Sequence, residues 1–228
     1  HVPCSTCGSS DARSINDDGS SYCFSCTTFF PNETGVNQQQ PRGDMQTAEK
    51  ITDLSYHQGS VSSISDRAIQ SETCKKYGVK VTYNGNNQIA KHIYPYYDET
   101  GQMIATKTRY VKDKQFSILG STSNSGLFGQ QLFNGGKFVT ITAGEVDAMS
   151  VYQMLGSKYP VVSIKNGVAS ALKDIKHSYN WLDKFDNIVI NFDNDSVGRE
   201  ASQKVAELFQ PGKVKIVKLS ESYKDAND

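Results

Sequence analysis

The sequence lacks the long apolar runs that a membrane protein requires. No stretch of consecutive hydrophobic residues exceeds three, whereas a helix that spans a bilayer needs about 20. The first seven residues also lack the apolar stretch of a signal peptide. We therefore exclude a membrane-embedded class and expect a soluble, intracellular protein without a membrane partner.

An excess of charge of either sign is also absent. The 228 residues contain 24 Lys plus Arg and 24 Asp plus Glu, which gives a formal net charge of zero. A generally basic surface is thereby excluded, so affinity for an acidic partner must come from local clusters. No GxxxxGK[ST] segment occurs either, which excludes a Walker-type ATPase within these residues.

Cysteine is scarce in most of the chain: only Cys74 occurs after residue 26, whereas residues 1–26 contain four cysteines. Cys4 and Cys7 form one CxxC pair, Cys23 and Cys26 form a second, and fifteen residues separate the pairs. This spacing is typical of structural zinc. The alternatives are a redox dithiol and four free thiols, but a redox pair would not be doubled at this spacing. A four-cysteine site is closed, so its zinc would fold the segment and not catalyse.

The run DDGS at 17–20 predicts a hairpin turn within this zinc ribbon. The first 30 residues contain Arg13 as their only Lys or Arg, so they suit general phosphate binding poorly. Reading of base edges by Asp18, Ser20 and Tyr22 fits better, because an Asp accepts a hydrogen bond from the cytosine amine. A purely turn-forming role for these residues is the alternative.

Three compositional zones follow one another along the chain. Residues 1–30 form the zinc ribbon, and the polar residues 31–50 are interpreted as a flexible linker. Residues 51–136 contain a helix near Ser71 and three β-like runs, which predict an antiparallel meander. In residues 137–228 strands alternate with helices, which predicts a parallel, doubly wound sheet. The expected fold class is α/β with an α+β subdomain.

Apolar periodicity and turn residues give the expected bounds of these elements. Strands are predicted at 79–83, 88–97, 102–111, 138–142, 161–164, 187–192 and 214–219, and helices at 145–156, 169–184 and 197–209. The helix near Ser71 is expected to start with that residue as its cap and to stop at Gly78, with Cys74 and Tyr77 facing inward.

Acidic residues follow several predicted strands of the last zone. Asp147 lies just beyond the first strand, Asp193 and Asp195 follow the third, and Asp225 follows the last. The carboxyl ends of parallel strands meet at one sheet edge, where ligands bind. Carboxylates there suit Mg²⁺, and two such ions can stabilise both oxygens of a phosphoryl transfer. A helix cap or turn is the alternative for each residue, above all for Asp195.

Basic residues gather on one predicted strand of the meander. Lys107 and Arg109 alternate on one of its faces, and the segment KTRYVKDK, which ends at Lys114, holds four basic residues and one acidic residue. Tyr110 and Phe116 stand beside them and are suited to stacking on bases. Such a strand suits triphosphates or a single nucleic-acid strand. A solvated edge hairpin is the alternative.

The order of these features resembles the primase half of the T-seven-like phage primase-helicases. A zinc quartet, a polar linker, the meander with KTRYVKDK, then NGGKFVTITAGEVDAM, NFDND and YKDAND succeed one another over nearly the whole chain. The specific part is the TOPRIM signature, in which a strand ends in an EG pair, an Asp stands four residues after that Glu, and a DxD and a KDAN follow. The resemblance implies a DNA primase, a nucleotidyltransferase that makes short RNA primers on single-stranded DNA.

The resemblance also implies roles for individual residues. It makes Asp147, Asp193, Asp195 and Asp225 the carboxylates of a Mg²⁺ or Mn²⁺ centre, the last three as metal ligands, and gives Lys107 and Lys114 a role in handling nucleotides, with Arg109 on the same strand. The zinc module would choose the template triplet. The implied partners are single-stranded DNA, ribonucleoside triphosphates, the RNA primer, a helicase domain and a replisome DNA polymerase, in the cytoplasm of an infected bacterial host.

Two positions depart from the family pattern. Ala143 stands where the family has a Glu that binds metal or moves a proton, and Glu145 matches a second Glu that does not replace it. We therefore expect this chain to be catalytically inactive with its folding intact, through deliberate replacement or natural loss. Ser20 stands where relatives read DNA with a His, so their template preference does not transfer.

Two other function classes stay open. The TOPRIM centre also occurs in nucleases and topoisomerases, although none of the 12 tyrosines stands in a module suited to a topoisomerase nucleophile. The non-enzymatic alternative is a zinc-ribbon factor that binds single-stranded DNA and carries an inactive TOPRIM scaffold.

Overall fold

A computed structural model of the chain describes residues 2–10, 13–15, 20–23, 25–26, 28–31, 56 and 59–228. The chain divides into two compact units, His1–Thr47 and Ala48–Asp228. The predicted linker at 31–50 lies, apart from Pro31, outside the described residues. The linker and the predicted domain bounds therefore stay predictions.

The smaller unit contains a sheet of three short antiparallel strands. These are β1 (Arg13–Ile15), β2 (Ser21–Cys23) and β3 (Phe29–Phe30), in the order β1-β2-β3. Ser14 lies opposite Tyr22, as a hairpin between β1 and β2 requires, although residues 16–19 of the predicted turn lie outside the described part. The antiparallel pairing fits the predicted ribbon.

The larger unit begins with an antiparallel sheet. Its strands are β4 (Lys80–Tyr83), β5 (Ile89–Tyr97), β6 (Met103–Tyr110) and β7 (Phe116–Gly120), in sequential order. This order confirms the predicted meander. The fourth strand was not predicted, because all five of its residues are exposed and the sequence therefore shows no alternation between a polar and an apolar face.

The first helix, α1 (Ser71–Tyr77), packs its inner face into the core. Cys74 and Tyr77 are fully buried, and Gly78 ends the helix in the left-handed conformation with φ 71°, as predicted. The predicted cap at Ser71 is wrong by one residue. Gln70 occupies the N-cap position, and its side chain makes no capping hydrogen bond.

The second sheet of the larger unit is parallel, as predicted. Its strands are β8 (Gly136–Thr142), β9 (Val161–Ser163), β10 (Phe185–Asn191) and β11 (Val214–Ile216), in the order β11-β10-β8-β9. Every neighbouring pair runs parallel. The carboxyl ends of the four strands therefore share one edge.

Four helices accompany this sheet: α2 (Glu145–Met154), α3 (Ala171–His177), α4 (Tyr179–Leu182) and α5 (Ser196–Ala206). The single helix predicted over 169–184 is wrong, because a 3₁₀ turn at Val168–Ser170 and a break at Ser178 divide it. Trp181 explains the separate α4, since its indole donates to the carbonyl of Phe133 and packs edge-on against Phe185. Within the described ranges no helix is both long enough and apolar enough to cross a bilayer.

Two hydrophobic clusters fill the larger unit. Val161 belongs to one and Val162 to the other, as expected for a strand whose side chains alternate between sheet faces. The first cluster also contains residues of α1, α2 and the antiparallel sheet. At its centre the ring of Tyr77 stacks on Phe128, and its hydroxyl donates to the carbonyl of Val161 at 2.8 Å. The two sheets therefore share a core.

Candidate catalytic and metal sites

Three of the predicted carboxylates face one another at the carboxyl edge of the parallel sheet. Asp147 lies in the first turn of α2, Asp193 follows β10, and Asp225 lies in the last segment of the chain. Burial and the charges of Asp225 and Asp193 raise the pKa of Asp147 to about 7. Burial and the charge of Asp225 likewise raise the pKa of Asp193. Because a charge shifts the pKa of another group strongly only at short range, the three carboxylates lie close in space.

These carboxylates are spaced more widely than the ligands of a closed metal site. Within the described ranges, the cysteine sulfurs are the one group of three or more Cys, His, Asp or Glu ligand atoms that all lie within 4.8 Å of one another. Mg²⁺, however, commonly takes one or two carboxylates and completes its shell with water and substrate phosphates. The wider spacing is compatible with such an ion.

Asp195 has a structural role beside this cluster. Its Oδ1 accepts a 2.7 Å hydrogen bond from the backbone N–H of Gly198 and caps α5, which is the alternative that the sequence left open. Its charge also helps to raise the pKa of Asp193. A Cβ at Gly198 would overlap the carbonyl oxygen of Asp193, so a glycine is needed for α5 to begin this close to the cluster.

Asn227 fixes the segment that carries Asp225. Its amide donates to the carbonyl of Arg67 at 2.9 Å and to Oγ of Ser150 at 2.8 Å, and its oxygen accepts from Arg67 at 3.2 Å. The charge of Arg67 opposes the rise in the pKa of Asp147, so a cation acts on the carboxylate cluster. Sequence reasoning missed Arg67, since it stands alone and outside every motif.

Ala143 is the first residue after β8 and lies at the same edge. It is half-buried, and its methyl group packs against the second hydrophobic cluster. A side chain at the adjacent Gly144 would come within 2.9 Å of Oδ2 of Asp147, so the edge is closely packed there. Position 143 supplies no charge to the carboxylate cluster.

Lys107 is buried, with 9% exposure, and its ammonium is fully engaged. It pairs with Oε1 of Glu145 at 2.8 Å and donates to the carbonyl of Lys165 at 2.8 Å. The hydroxyl of Tyr96 donates to the same Glu145 oxygen at 2.6 Å. Glu145 therefore neutralises Lys107, and together they link β6 and β5 to the start of α2.

A second buried ion pair holds the loop beneath Lys107. The ammonium of Lys165 lies 3.7 Å from Asp174 and donates to the carbonyls of Thr122 and Ser125. Oδ2 of Asp174 accepts from the backbone N–H of Lys165 at 2.8 Å. Burial lowers the pKa of Lys165, and the Asp174 charge opposes that shift. We call the four side chains Lys107, Glu145, Lys165 and Asp174 the ion-pair network.

Arg109 and His92 lie opposite each other on the face of the antiparallel sheet that carries Lys107. His92 is fully buried, and burial, together with the charges of Arg109 and Arg67, lowers its pKa to about 4 against the opposing charge of Asp66. Nε of Arg109 is buried without a hydrogen-bond partner in the described part of the chain. Lys114 is exposed beyond β6, with φ 53°. The predicted basic segment is thus buried at Lys107, within β6, and exposed at Lys114, beyond the end of β6.

The four predicted zinc ligands lie together in the smaller unit. Sγ of Cys4 is 3.7 Å from that of Cys26, and Sγ of Cys7 is 3.7 Å from that of Cys23. Sulfurs on a tetrahedral zinc with bonds of about 2.3 Å stand about 3.8 Å apart. No disulfide joins any cysteine of the chain, all five of which lie in described ranges. The geometry therefore fits zinc.

Of the three predicted base-reading residues, Tyr22 lies in β2 and is half-buried. Asp18 lies outside the described residues. Ser20 is buried, with 5% exposure. All three roles stay predictions.

Two protein-family models match the larger unit, one in its antiparallel part and one in its parallel part. The family model "Toprim-like" matches residues 140–228, and the family model "Bacteriophage T7 DNA helicase/primase, N-terminal a+b fold" matches residues 59–120. The crystal structure of the primase fragment of bacteriophage T7 primase-helicase is 34% identical, with a TM-score of 0.70, over 100% of this chain and 92% of that one. The chain belongs to the T7-like primase-helicase family.

Two further relatives extend this comparison. The DNA helicase/primase of Enterobacteria phage T3 is 34% identical over 233 residues, which span all of this chain and 40% of that protein. A structure of bacteriophage T7 lagging-strand DNA polymerase with primase domains of two subunits, bound to an RNA/DNA hybrid and dTTP, is 36% identical. That match covers 75% of this chain and 84% of the other, with a TM-score of 0.67.

Replacing Asp174 by Asn is expected to lower the free energy of unfolding by about 3 kcal/mol, because it leaves the buried Lys165 charge unpaired. Urea unfolding followed by the fluorescence of Trp181, the single tryptophan, measures this. Glu200→Gln is the matched control, since it breaks an exposed Lys204–Glu200 pair of 2.6 Å and should change stability little. Equal losses in the two variants would contradict a special role for burial.

Replacing His92 by Gln is expected to remove part of the acid sensitivity of the chain. Because the pKa of His92 is about 4 in the folded state and about 6.5 when unfolded, the unfolded state binds the extra proton between these values. Stability is then fully present above pH 6.5 and falls by about 3 kcal/mol as the pH drops to 4.

Urea unfolding of both chains at pH 7, 6, 5 and 4 checks this. The stability of the His92→Gln variant should fall less with acid than that of the unsubstituted chain. His177→Gln, which changes an exposed histidine, is the control. A pH profile that is the same with and without His92 would refute the assignment.

Proposed function

We propose that this chain is a DNA primase domain, which synthesises short RNA primers on single-stranded DNA by nucleotidyl transfer. The observation that carries the proposal is the convergence of Asp147, Asp193 and Asp225 at the carboxyl edge of a TOPRIM sheet, where their charges act on one another. Membership in the T7-like primase-helicase family supports it. The chain spans about 40% of the T3 relative, so the proposal concerns primer synthesis alone.

Asp193, Asp195 and Asp225 are the proposed ligands of Mg²⁺ or Mn²⁺, with Asp147 beside them. The raised pKa values of Asp147 and Asp193 support a cation there, because a divalent ion relieves the repulsion that raises them. When bound, such an ion stabilises the attacking and leaving oxygens of phosphoryl transfer. Asp195 would bind through the carboxylate that also caps α5.

The cations around the cluster are proposed to hold the polyphosphate and the template strand. Arg109, near the end of β6, and Lys114, just beyond it, offer positive charge. Arg67, in the turn at Ser65–Arg67, adds a third positive charge that acts on Asp147. Lys107 is kept in the nucleotide-binding set, but its pairing with Glu145 gives it a positioning role: it fixes β6 against α2. Glu145 partly neutralises the positive charge of Lys107, so a phosphate would share that charge with Glu145.

The smaller unit is proposed to hold zinc through its four cysteines and to read the template with Asp18 and Ser20. A linker would keep it at a high effective concentration near the carboxylates. The proposed partners are single-stranded DNA, ribonucleoside triphosphates, the primer, a helicase domain and a replisome DNA polymerase, in the host cytoplasm. The helicase/primase of phage T3 and the T7 complex of primase domains with a DNA polymerase support the helicase and polymerase partners.

Ala143→Glu is expected to raise primer synthesis by at least about 100-fold, because it adds a preorganised charge at the carboxylate edge. Gel analysis of products from single-stranded DNA, ribonucleotides and Mg²⁺ or Mn²⁺ measures this. Ala143→Gln is the matched control, with the same size and no charge, and should stay inactive.

The same assay separates the alternative functions. Short RNA products from Ala143→Glu support the primase. Template nicking without synthesis would replace it by a nuclease, and DNA binding with no dinucleotide would replace it by a non-catalytic binding factor.

Replacing Cys23 by Ser is expected to abolish binding of one zinc ion per chain, since a fully buried ligand is lost from a four-sulfur site. Metal analysis by mass spectrometry under native conditions measures the stoichiometry. Cys74→Ala is the control, because Cys74 lies in the core of the larger unit, and it should leave zinc content unchanged. Retention of a full equivalent of zinc by the Cys23 variant would contradict the site.

A further inference from the structure

Strand β7 is an edge strand that exposes an unusual amount of apolar surface. Phe116 is 53% exposed, Ile118 45% and Leu119 49%, all within five residues. Isolated exposed hydrophobic residues are common on protein surfaces. Three on one short strand beside a candidate catalytic centre call for a ligand or a partner.

The register of β7 divides these three side chains between the two sheet faces. Phe116 lies opposite Arg109 and Ile118 opposite Lys107, whereas Leu119 lies opposite Thr106. Directly opposed residues share a face. Phe116 and Ile118 therefore lie on the face of the ion-pair network, and Leu119 lies on the other face.

The ring of Phe116 is also tied to the candidate site by direct contact. The ammonium of Lys107 lies 4.8 Å from the ring centroid, and the same ammonium is 2.8 Å from Glu145, which stands two residues before Asp147. One side of the ring thus contacts a cation, while Phe116 as a whole remains 53% exposed. An apolar plane next to cations and carboxylates matches a ligand with a flat base at one end and phosphates at the other.

We propose that Phe116 and Ile118 form a base platform, on which the base of a bound ribonucleoside triphosphate stacks while its phosphates reach Arg109 and the carboxylate edge. The inference rests on the proposed primase function and deepens it by naming where the base lies. Tyr110 does not belong to the platform, because it alternates with Arg109 onto the opposite face, where Lys91 lies 5.2 Å from its ring.

A nucleotide is favoured over a template strand by position. The platform lies beside the Lys107–Glu145 pair, close to the carboxylates where a triphosphate must react, and stacking on an aromatic side chain tolerates any base. A template base stacked on Phe116 is the competing interpretation, and the experiment below separates the two.

Calorimetric titration of the full chain with ATP and with inorganic triphosphate, both with Mg²⁺, tests the platform. Phe116→Ala should weaken ATP binding about tenfold and leave inorganic triphosphate binding unchanged, because that probe has no base. Phe116→Tyr, which keeps the ring, should retain ATP affinity. Leu119→Ala, on the other face of the same strand, should bind ATP like the unsubstituted chain. Thermal unfolding of each variant checks that the sheet is intact.

Several outcomes would overturn the platform. These are ATP affinity unchanged by Phe116→Ala, equal loss for ATP and inorganic triphosphate, an equal effect of Leu119→Ala, or no ATP binding by the unsubstituted chain. Loss of oligothymidylate affinity with ATP affinity unchanged would overturn it in favour of a template contact. Primer synthesis by Ala143→Glu is a separate measurement, so failure of the platform and failure of the proposed function are distinguishable.

Discussion

The ion pair between Lys107 and Glu145 joins the two sheets of the larger unit, and the geometry of the candidate site depends on it. Lys107 belongs to an antiparallel strand and Glu145 to the first turn of the helix that carries Asp147. Because both groups are buried, moving them apart within the fold would leave two uncompensated charges, which is strongly unfavourable. The pair therefore fixes the distance between the basic strand and the carboxylate edge.

This arrangement separates charges that serve the structure from charges that are left for a ligand. Glu145 neutralises Lys107, and Asp174 neutralises Lys165, so each of these four charges already has a partner within the fold. Asp147 and Asp193, in contrast, face other carboxylates, and their pKa values rise. The folded chain keeps this repulsion in place because the hydrophobic clusters on both faces of the parallel sheet, not the carboxylates, stabilise the edge. A bound cation would relieve repulsion of this kind.

Sequence reasoning predicted the architecture best where the pattern was periodic. The alternation of strands and helices after residue 137 indicated the parallel sheet, and the cysteine spacing indicated the metal cluster. It failed at β7, whose exposed residues have no periodic signal, and at Ser178, where the tertiary contacts of Trp181 set the path of the chain. The ion-pair network was also out of reach, because Lys107 and its partner Glu145 lie on different elements, 38 positions apart, and no local pattern indicates such a pairing.

The hydrogen bonds between Asn227 and Arg67 span 160 positions, almost the full length of the larger unit. Domains begin to fold from the N-terminal side as the ribosome delivers them. Until Asn227 has left the ribosome, the segment that carries Asp225 lacks these hydrogen bonds and the turn at Ser65–Arg67 lacks its partner. A nascent chain can thus build both sheets and still hold an incomplete carboxylate edge. Translation itself postpones the moment at which the growing polypeptide completes this corner of the larger unit.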